Sequence, residues 1–381
     1  MNSIELFAGG GGLALATSMS GFSHSFMVEW DSDSAGTLCH NSTLLCLSSD
    51  PGKTIFNGDV RKVDFSSYSG KVDLLSGGPP CQPFSLGGKA QAFNDNRDMF
   101  PEAVRALSEI KPRAFIFENV RGLLRKSFAR YFNYIILQLT YPEIARLDNQ
   151  SWEDHLSILE KHHTSNAFYE GLKYNVVFRL VNAADYGVPQ KRERVFIVGF
   201  RNDVKGDWSF PEPTHSKEAL DYDKYCTGDY WKRHGIPVPE NMKSTSPLLF
   251  VSEKKPWVTI RDVLRDLPDP QSKENKVANH RYQPGAKVYP GHTGSYMDEP
   301  SKTIKAGAHG VPGGENMMLL DDGTARYYTV REAARIQTFP DDYMFPCSWT
   351  ESMRQIGNAV PVLLGSVVAK SVYNTLKNDR H

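Results

Sequence analysis

Val72-Asp73-Leu74-Leu75-Ser76-Gly77-Gly78-Pro79-Pro80-Cys81-Gln82-Pro83-Phe84-Ser85 reads as a buried strand running into a rigid, irregular loop. The apolar stretch from Val72 to Leu75 is the strand. Pro79, Pro80 and Pro83 then fix the backbone and remove three amide donors. Gly77 and Gly78 let main chain approach whatever is bound there. Open α/β sheets place their chemistry at the C-terminal ends of their strands, and here a thiol, Cys81, stands at such an end. A lone cysteine is more often just a small buried residue. The choice depends on whether the rest of the chain supplies a matching site.

The N-terminus supplies one half of it. Ser3 to Phe7 is short and apolar, and is followed by Ala8-Gly9-Gly10-Gly11-Gly12 and then Leu13, Leu15 and Ala16. Strand, glycine turn and helix in that order open a nucleotide-binding βα unit. A second strand, Ser25 to Val28, ends in Glu29-Trp30, and Glu29 stands 20 residues after Gly9. At that distance such folds set an acid on ribose hydroxyls. The acid does not separate dinucleotide from adenosylmethionine binders, because both cofactors carry an adenosine diol. Trp30 either stacks on an adenine or fills core. Ile55 to Val60 ends a third strand, with Asp59 either at an adenine amino group or in a surface turn.

The other half lies downstream. Arg97 to Ile110 has helical spacing and stops before Pro112. Ala114 to Phe117 is a fourth buried strand, leading into Glu118-Asn119-Val120 at the same sheet end as Cys81. Desolvation there should raise the Glu118 pKa and let it act as an acid near neutral pH. The competing reading is a helix-capping or ion-paired glutamate, with Arg113 or Arg121 as partner. Phe128 to Tyr174 is helical, amphipathic packing. Tyr174 to Leu180 and Arg194 to Phe200 read as paired strands, joined by a turn that leads into Gln190-Lys191-Arg192-Glu193-Arg194. An arginine fork suits a phosphate or a base carbonyl. From Asn202 to about Asp322 the chain is rich in Pro, Gly, Lys, His and Tyr and looks like a separate, loop-rich domain. Thr329-x-x-Glu332 is a capping box opening a helix through Ile336. Gln355 to Pro361 leads into a last apolar helix, Val362 to Leu376.

Bulk properties narrow the class. The 381 residues allow one large domain or two smaller ones, and 44 basic residues balance 44 acidic ones. A nucleic-acid partner therefore needs a local basic patch. Lys111 to Arg130 holds one: Lys111, Arg113, Arg121, Arg125, Lys126 and Arg130 against the single acid Glu118. Cys39, Cys46, Cys81, Cys226 and Cys347 form no C-x-x-C pair and no zinc-like spacing, which suggests free thiols in a reducing compartment and no metal. No apolar run approaches membrane-spanning length, and the chain enters a strand at once. A soluble cytoplasmic protein is expected.

Together these motifs resemble the cytosine-5 DNA methyltransferases of bacterial restriction-modification systems. The resemblance runs in the family's usual order through Phe7 to Gly12, Glu29-Trp30, Asp59, Pro79-Pro80-Cys81-Gln82, Glu118-Asn119-Val120 and Gln190-x-Arg192-x-Arg194. It closes with Arg331-Glu332 and Gln355-x-Gly357-Asn358. About 200 of the 381 residues lie in or beside these motifs, and their joint order is far more specific than any one of them. There are two departures. A serine that in some bacterial members fills the gap left by the flipped base is Gly87 here, and the segment between Asn119 and Gln190 is longer than in compact members.

The resemblance implies an α/β fold: a Rossmann-like, S-adenosylmethionine-dependent methyltransferase domain (1–201 and 323–381) with a smaller target recognition domain (202–322). It implies that Cys81 adds covalently to cytosine, with Glu118, Arg192 and Arg194 as the other catalytic residues. S-adenosylmethionine would lie against Phe7, Gly9, Gly11, Glu29, Trp30, Asp59, Val60, Pro79, Met99, Asn358, Ala359 and Val360. Double-stranded DNA would meet Gln82, Ser85, Lys89, Gln190, Thr303 and Arg331, with the enzyme acting as a monomer. Three other readings compete. A dehydrogenase leaves the Pro79 and Glu118 motifs without a job. A tRNA cytosine-5 methyltransferase shares the catalytic motifs but has a small recognition region, against about 120 residues here. A non-catalytic DNA-binding regulator does not need an intact Cys81 and Glu118.

Overall fold

A computed structural model describes residues 1–80, 98–165, 169–239, 253–290, 293–306 and 316–379. Its centre is a seven-stranded sheet of β1 (Asn2–Leu6), β2 (Ser23–Glu29), β3 (Ile55–Asn57), β4 (Leu74–Gly77), β5 (Ala114–Val120), β6 (Tyr174–Asn182) and β7 (Glu193–Arg201). Their order is β3-β2-β1-β4-β5-β7-β6. Pairing is parallel from β3 to β5, and β7 runs antiparallel between β5 and β6. Two expected boundaries shift. The Val72 strand begins at Leu74 and includes Gly77, and Glu118-Asn119-Val120 lie inside β5 rather than after it.

Central strands buried on both faces need apolar residues at consecutive positions, and these have them. Phe115 and Phe117 of β5, with Val195 and Ile197 of β7, face helices Phe100–Ile110, Ala129–Thr140 and Trp152–Thr164. Ala114, Ile116, Phe196 and Val198 face the long helix Val362–Asn378. The expected single amphipathic stretch from Phe128 to Tyr174 is thus two helices, the second capped by Ser151. The Thr329–Glu332 capping box is present and opens helix Val330–Ile336. Helix Trp349–Asn358 was not foreseen.

Between residues 202 and 322 the elements are short. Strand His215–Ser216 pairs with Lys255–Pro256, and Leu220, Tyr230 and Trp231 build a small core of their own. Ile260, Leu264, Ile304 and Met318 instead join the cluster that holds Leu15, Met27, Tyr328 and Ile336. The hairpin Met317–Leu319/Ala325–Tyr327 straddles residue 322, so a boundary drawn there cuts a paired unit. The one helical stretch among the described residues that is long and apolar enough to cross a membrane is Trp349–Asn378. It is two helices broken at Ala359 to Pro361, and most of it is buried.

Candidate active site

Register brings the site together. β4 and β5 are parallel neighbours with Gly77 opposite Phe117, so Gly78 and Glu118 emerge side by side. A Cβ added to Gly78 would lie 3.5 Å from Glu118 Oε2. The loop is then pinned from both flanks. Asn119 Nδ2 donates to the Pro79 carbonyl at 2.9 Å. The Met99 amide, at the start of helix Phe100–Ile110, donates to the Pro80 carbonyl at 3.2 Å. Cys81 follows Pro80 directly; with Gln82, Ser85 and Lys89 it lies outside the described residues.

Glu118 is 7% exposed and pairs with Arg194, whose Nε lies 2.8 Å from Glu118 Oε1. The expected partners are elsewhere: Arg113 meets Asp73 and Asp379, and Arg121 meets Glu193. Burial raises the Glu118 pKa, opposed chiefly by Arg194 and then by Arg192. Burial also pulls Arg194 downward, but a guanidinium keeps its charge in proteins. The result is a buried carboxyl group at a sheet end, its pKa shifted upward by burial, beside a fixed cation. It can share a proton with a bound ring.

Gln190 and Arg192 do something else, and the sequence reading needs correction there. Both are fully buried. Arg192 Nη1 donates to the Ile304 carbonyl at 3.0 Å, and Nη2 donates to those of Gly357 and Ala359 at 2.7 and 3.1 Å. Gln190 Nε2 donates to Gln337 Oε1, while its own Oε1 accepts from the Ile304 amide. Arg192 Nε is left without a hydrogen-bond partner, but neither side chain has any exposed surface to offer a base or a phosphate. Arg331 is also fully buried, with its guanidinium on the Ala278, Pro340 and Tyr343 carbonyls, so it is no DNA contact either. Thr303 Oγ1 donates to the Lys191 carbonyl and stays partly exposed.

The glycine turn forms a second half-site. Glu29 ends β2 with its carboxylate accepting from the Gly9 amide at 2.6 Å and the Asp31 amide at 2.8 Å. Burial raises its pKa against those two bonds. Each oxygen keeps a free lone pair for another donor. Trp30 is 67% exposed, which removes the core reading. A Cβ on Gly9 would meet nothing within 4 Å, so this part of the turn faces open space. Phe7, Val60 and Met99 pack on one shared cluster beside it. Asp59 caps a short turn and pairs with Arg61, so its carboxylate is already engaged.

The other glycines have a different reason. Added Cβ atoms would sit 2.2 Å from the Tyr343 hydroxyl at Gly11 and 2.4 Å from the Val360 carbonyl at Gly12. The Tyr343 hydroxyl also donates to the Gly10 carbonyl at 2.9 Å. The turn is thus seated on the C-terminal region, with Ala359 and Val360 buried under it and Asn358 exposed beside it. Asn119, Gln337, Tyr343 and Gly357 carry the site yet had no role assigned from sequence. Asn119 had a signal in its position directly after Glu118, and Gly357 in its place in the Gln355-x-Gly357-Asn358 motif; Gln337 and Tyr343 had none.

Among the described residues no group of three or more His, Cys, Asp or Glu is placed to hold a metal. The profile of the C-5 cytosine-specific DNA methylases matches residues 1–141 and 157–374. The internal unmatched residues, 142–156, fall within the segment noted above as longer than in compact members. The chain is 34% identical over 382 residues to the Type II methyltransferase M.PspPI of Psychrobacter sp., covering 98% of this chain and 79% of that one. It is also 34% identical, with the same coverage, to M.Eco47II of Escherichia coli. A solved prophage-encoded chain from E. coli shares the fold at a TM-score of 0.60, with 21% identity and 99% of both chains covered. Sheet order, motif positions and a family match across nearly the whole length agree, and the chain belongs to the C-5 cytosine-specific DNA methylases.

Proposed function

We propose that this enzyme methylates carbon 5 of a cytosine flipped out of double-stranded DNA, using S-adenosylmethionine and a covalent bond from Cys81. The observation that carries this reading is the Glu118–Arg194 pair set against the pinned Gly78–Pro80 loop. Carbon 5 of cytosine is a weak nucleophile. Addition of the Cys81 thiolate at carbon 6 turns the ring into an enamine, and an ordinary thiol, with a pKa of about 8.5, needs help to ionise at neutral pH. Glu118 shares its proton with ring nitrogen 3, so the electron pair pushed in by sulfur is received as an N–H bond. Arg194 holds the Glu118 carboxyl in place and lies next to the ring carbonyl. When bound, S-adenosylmethionine supplies the electrophilic methyl group. Loss of the carbon 5 proton then restores the double bond and expels Cys81. A stacked base cannot reach these groups, so it must leave the helix, at a cost of a few kcal/mol.

The second half-site fits that cofactor. Glu29 offers lone pairs to a ribose diol, Trp30 an exposed ring to the adenine, and Gly9 open space. Residues 202–322 would choose the DNA sequence. Similarity to Type II methyltransferases supports a restriction-modification role. The enzyme would act in the cytoplasm, as a monomer on DNA.

DNA carrying 5-fluorocytosine tests the mechanism, because fluorine cannot leave as the proton does. The enzyme should stall as an adduct whose peptide mass maps to Cys81, and Cys81→Ser should form none while still binding DNA. Normal methylation without an adduct, or an adduct on Cys39, Cys46, Cys226 or Cys347, would overturn it.

A further inference from the structure

We infer that Arg125, Lys126 and Arg130 form a phosphate-contact surface that holds the backbone of the DNA substrate beside the active site. The six basic residues between Lys111 and Arg130 separate into two groups. Lys111 meets Glu143, Arg113 meets Asp73 and Asp379, and Arg121 meets Glu193. Among the described residues Arg125, Lys126 and Arg130 enter no ion pair. Lys126 and Arg130 are exposed and Arg125 is half-exposed. Arg130 lies over the Trp152 ring, 5.6 Å from its centre, which fixes the direction of that guanidinium.

Location gives the cluster its meaning. The short turn Arg121–Leu124 follows β5 directly, so Arg125 comes only seven residues after Glu118. The Tyr131 hydroxyl donates to Asp98 Oδ2 and ties the next helix to the residue that follows 81–97. The three cations therefore lie between the strand end that carries Glu118 and that anchor. Helix Ala129–Thr140 starts beside them with no side-chain cap and no acid of its own in its first turn, and the Asp98 carboxylate at that turn is engaged by the Tyr131 hydroxyl. Unpaired cations are costly to cluster unless a counter-charge arrives, and a DNA backbone supplies one at each nucleotide.

Duplex DNA of arbitrary sequence is the probe, because phosphate contacts do not depend on sequence. Affinity of the full-length enzyme is measured by fluorescence anisotropy across a salt series. Arg125→Gln/Lys126→Gln and Arg130→Gln should each make the log K against log salt slope shallower, by about 0.9 per contact removed, or about five-fold in affinity per contact near 0.15 M salt. Arg125→Lys should restore the slope. Lys71→Gln, an exposed charge just before the N-terminus of β4 and so at the opposite end of that strand from Gly78, should leave it unchanged. On methylatable DNA, KM should rise while kcat at saturation holds, and thermal melting confirms folding. A wild-type slope in the double variant overturns the inference, as does an affinity loss equal at every salt concentration. Failure of wild type to form the Cys81 adduct would count against the proposed mechanism without moving these slopes.

Discussion

Arg192 and Arg194 stand two residues apart in one motif, yet the protein uses them in opposite ways. Arg194 reaches a carboxylate at the open end of the sheet, 2.8 Å from Glu118 Oε1. Arg192 has no exposure and ends on three backbone carbonyls that belong to residues 304, 357 and 359. The first arginine faces an ionisable group whose pKa burial raises. The second faces dipoles that do not ionise, and it joins β7 to two distant stretches of chain. A guanidinium's role follows from what receives its hydrogen bonds, which spacing along the chain does not reveal.

The sharpest way to break this contrast is at the carboxylate. Glu118→Gln keeps the shape but cannot give up or regain the shared proton. It should slow turnover by roughly 10²–10⁴-fold with DNA binding retained. Single-turnover rates near wild type would remove Glu118 from the chemistry. Next comes Arg192→Met, which leaves buried carbonyls unpaired and should cost roughly 3–5 kcal/mol of stability. Denaturant unfolding reads that loss. If this variant melts like wild type but is slow, Arg192 belongs with Arg194 and the contrast fails.

The third test uses a buried acid without a counter-charge. Glu5 lies on β1, accepts from the Ser76 hydroxyl, and is pushed up to about 8 by burial. Its folded value lies above the unfolded one, so the native state binds the extra proton. Stability is therefore full at low pH and falls as pH rises from the ordinary carboxylate range through about 8. The loss should reach roughly 5 kcal/mol by the alkaline end. Glu5→Gln should flatten the curve, as followed by urea unfolding between pH 5 and 9. An unchanged slope would mean that Glu5 already ionises in the native state.

What the sequence revealed follows the same division. Glu118 and the Pro79–Pro80 turn were legible because each lies at the C-terminal end of an apolar strand run, and that signal is local. The Thr329–Glu332 capping box was legible for the same reason, since its partners lie three residues apart. Arg331, inside that helix, was misread because its partners at 278, 340 and 343 are carbonyls, and every residue has one. Gln190 was misread similarly, its partners being Gln337 and the Ile304 amide. The glycine turn was recognised for its shape, but only the fold shows what its glycines avoid.

That last point bears on how the protein is made. Gly10, Gly11 and Gly12 close against Tyr343, Gln355, Ala359 and Val360, more than 300 residues later in the chain. A nascent polypeptide emerges N-terminus first, so its opening strand and turn wait through most of synthesis for the surface that seats them. Until then Phe7, Trp30 and the glycine turn are loose ends of an unfinished sheet. A ribosome stalled before Tyr343 would carry a chain with the Cys81, Glu118 and Arg194 motifs already translated and the glycine turn still without the surface that seats it.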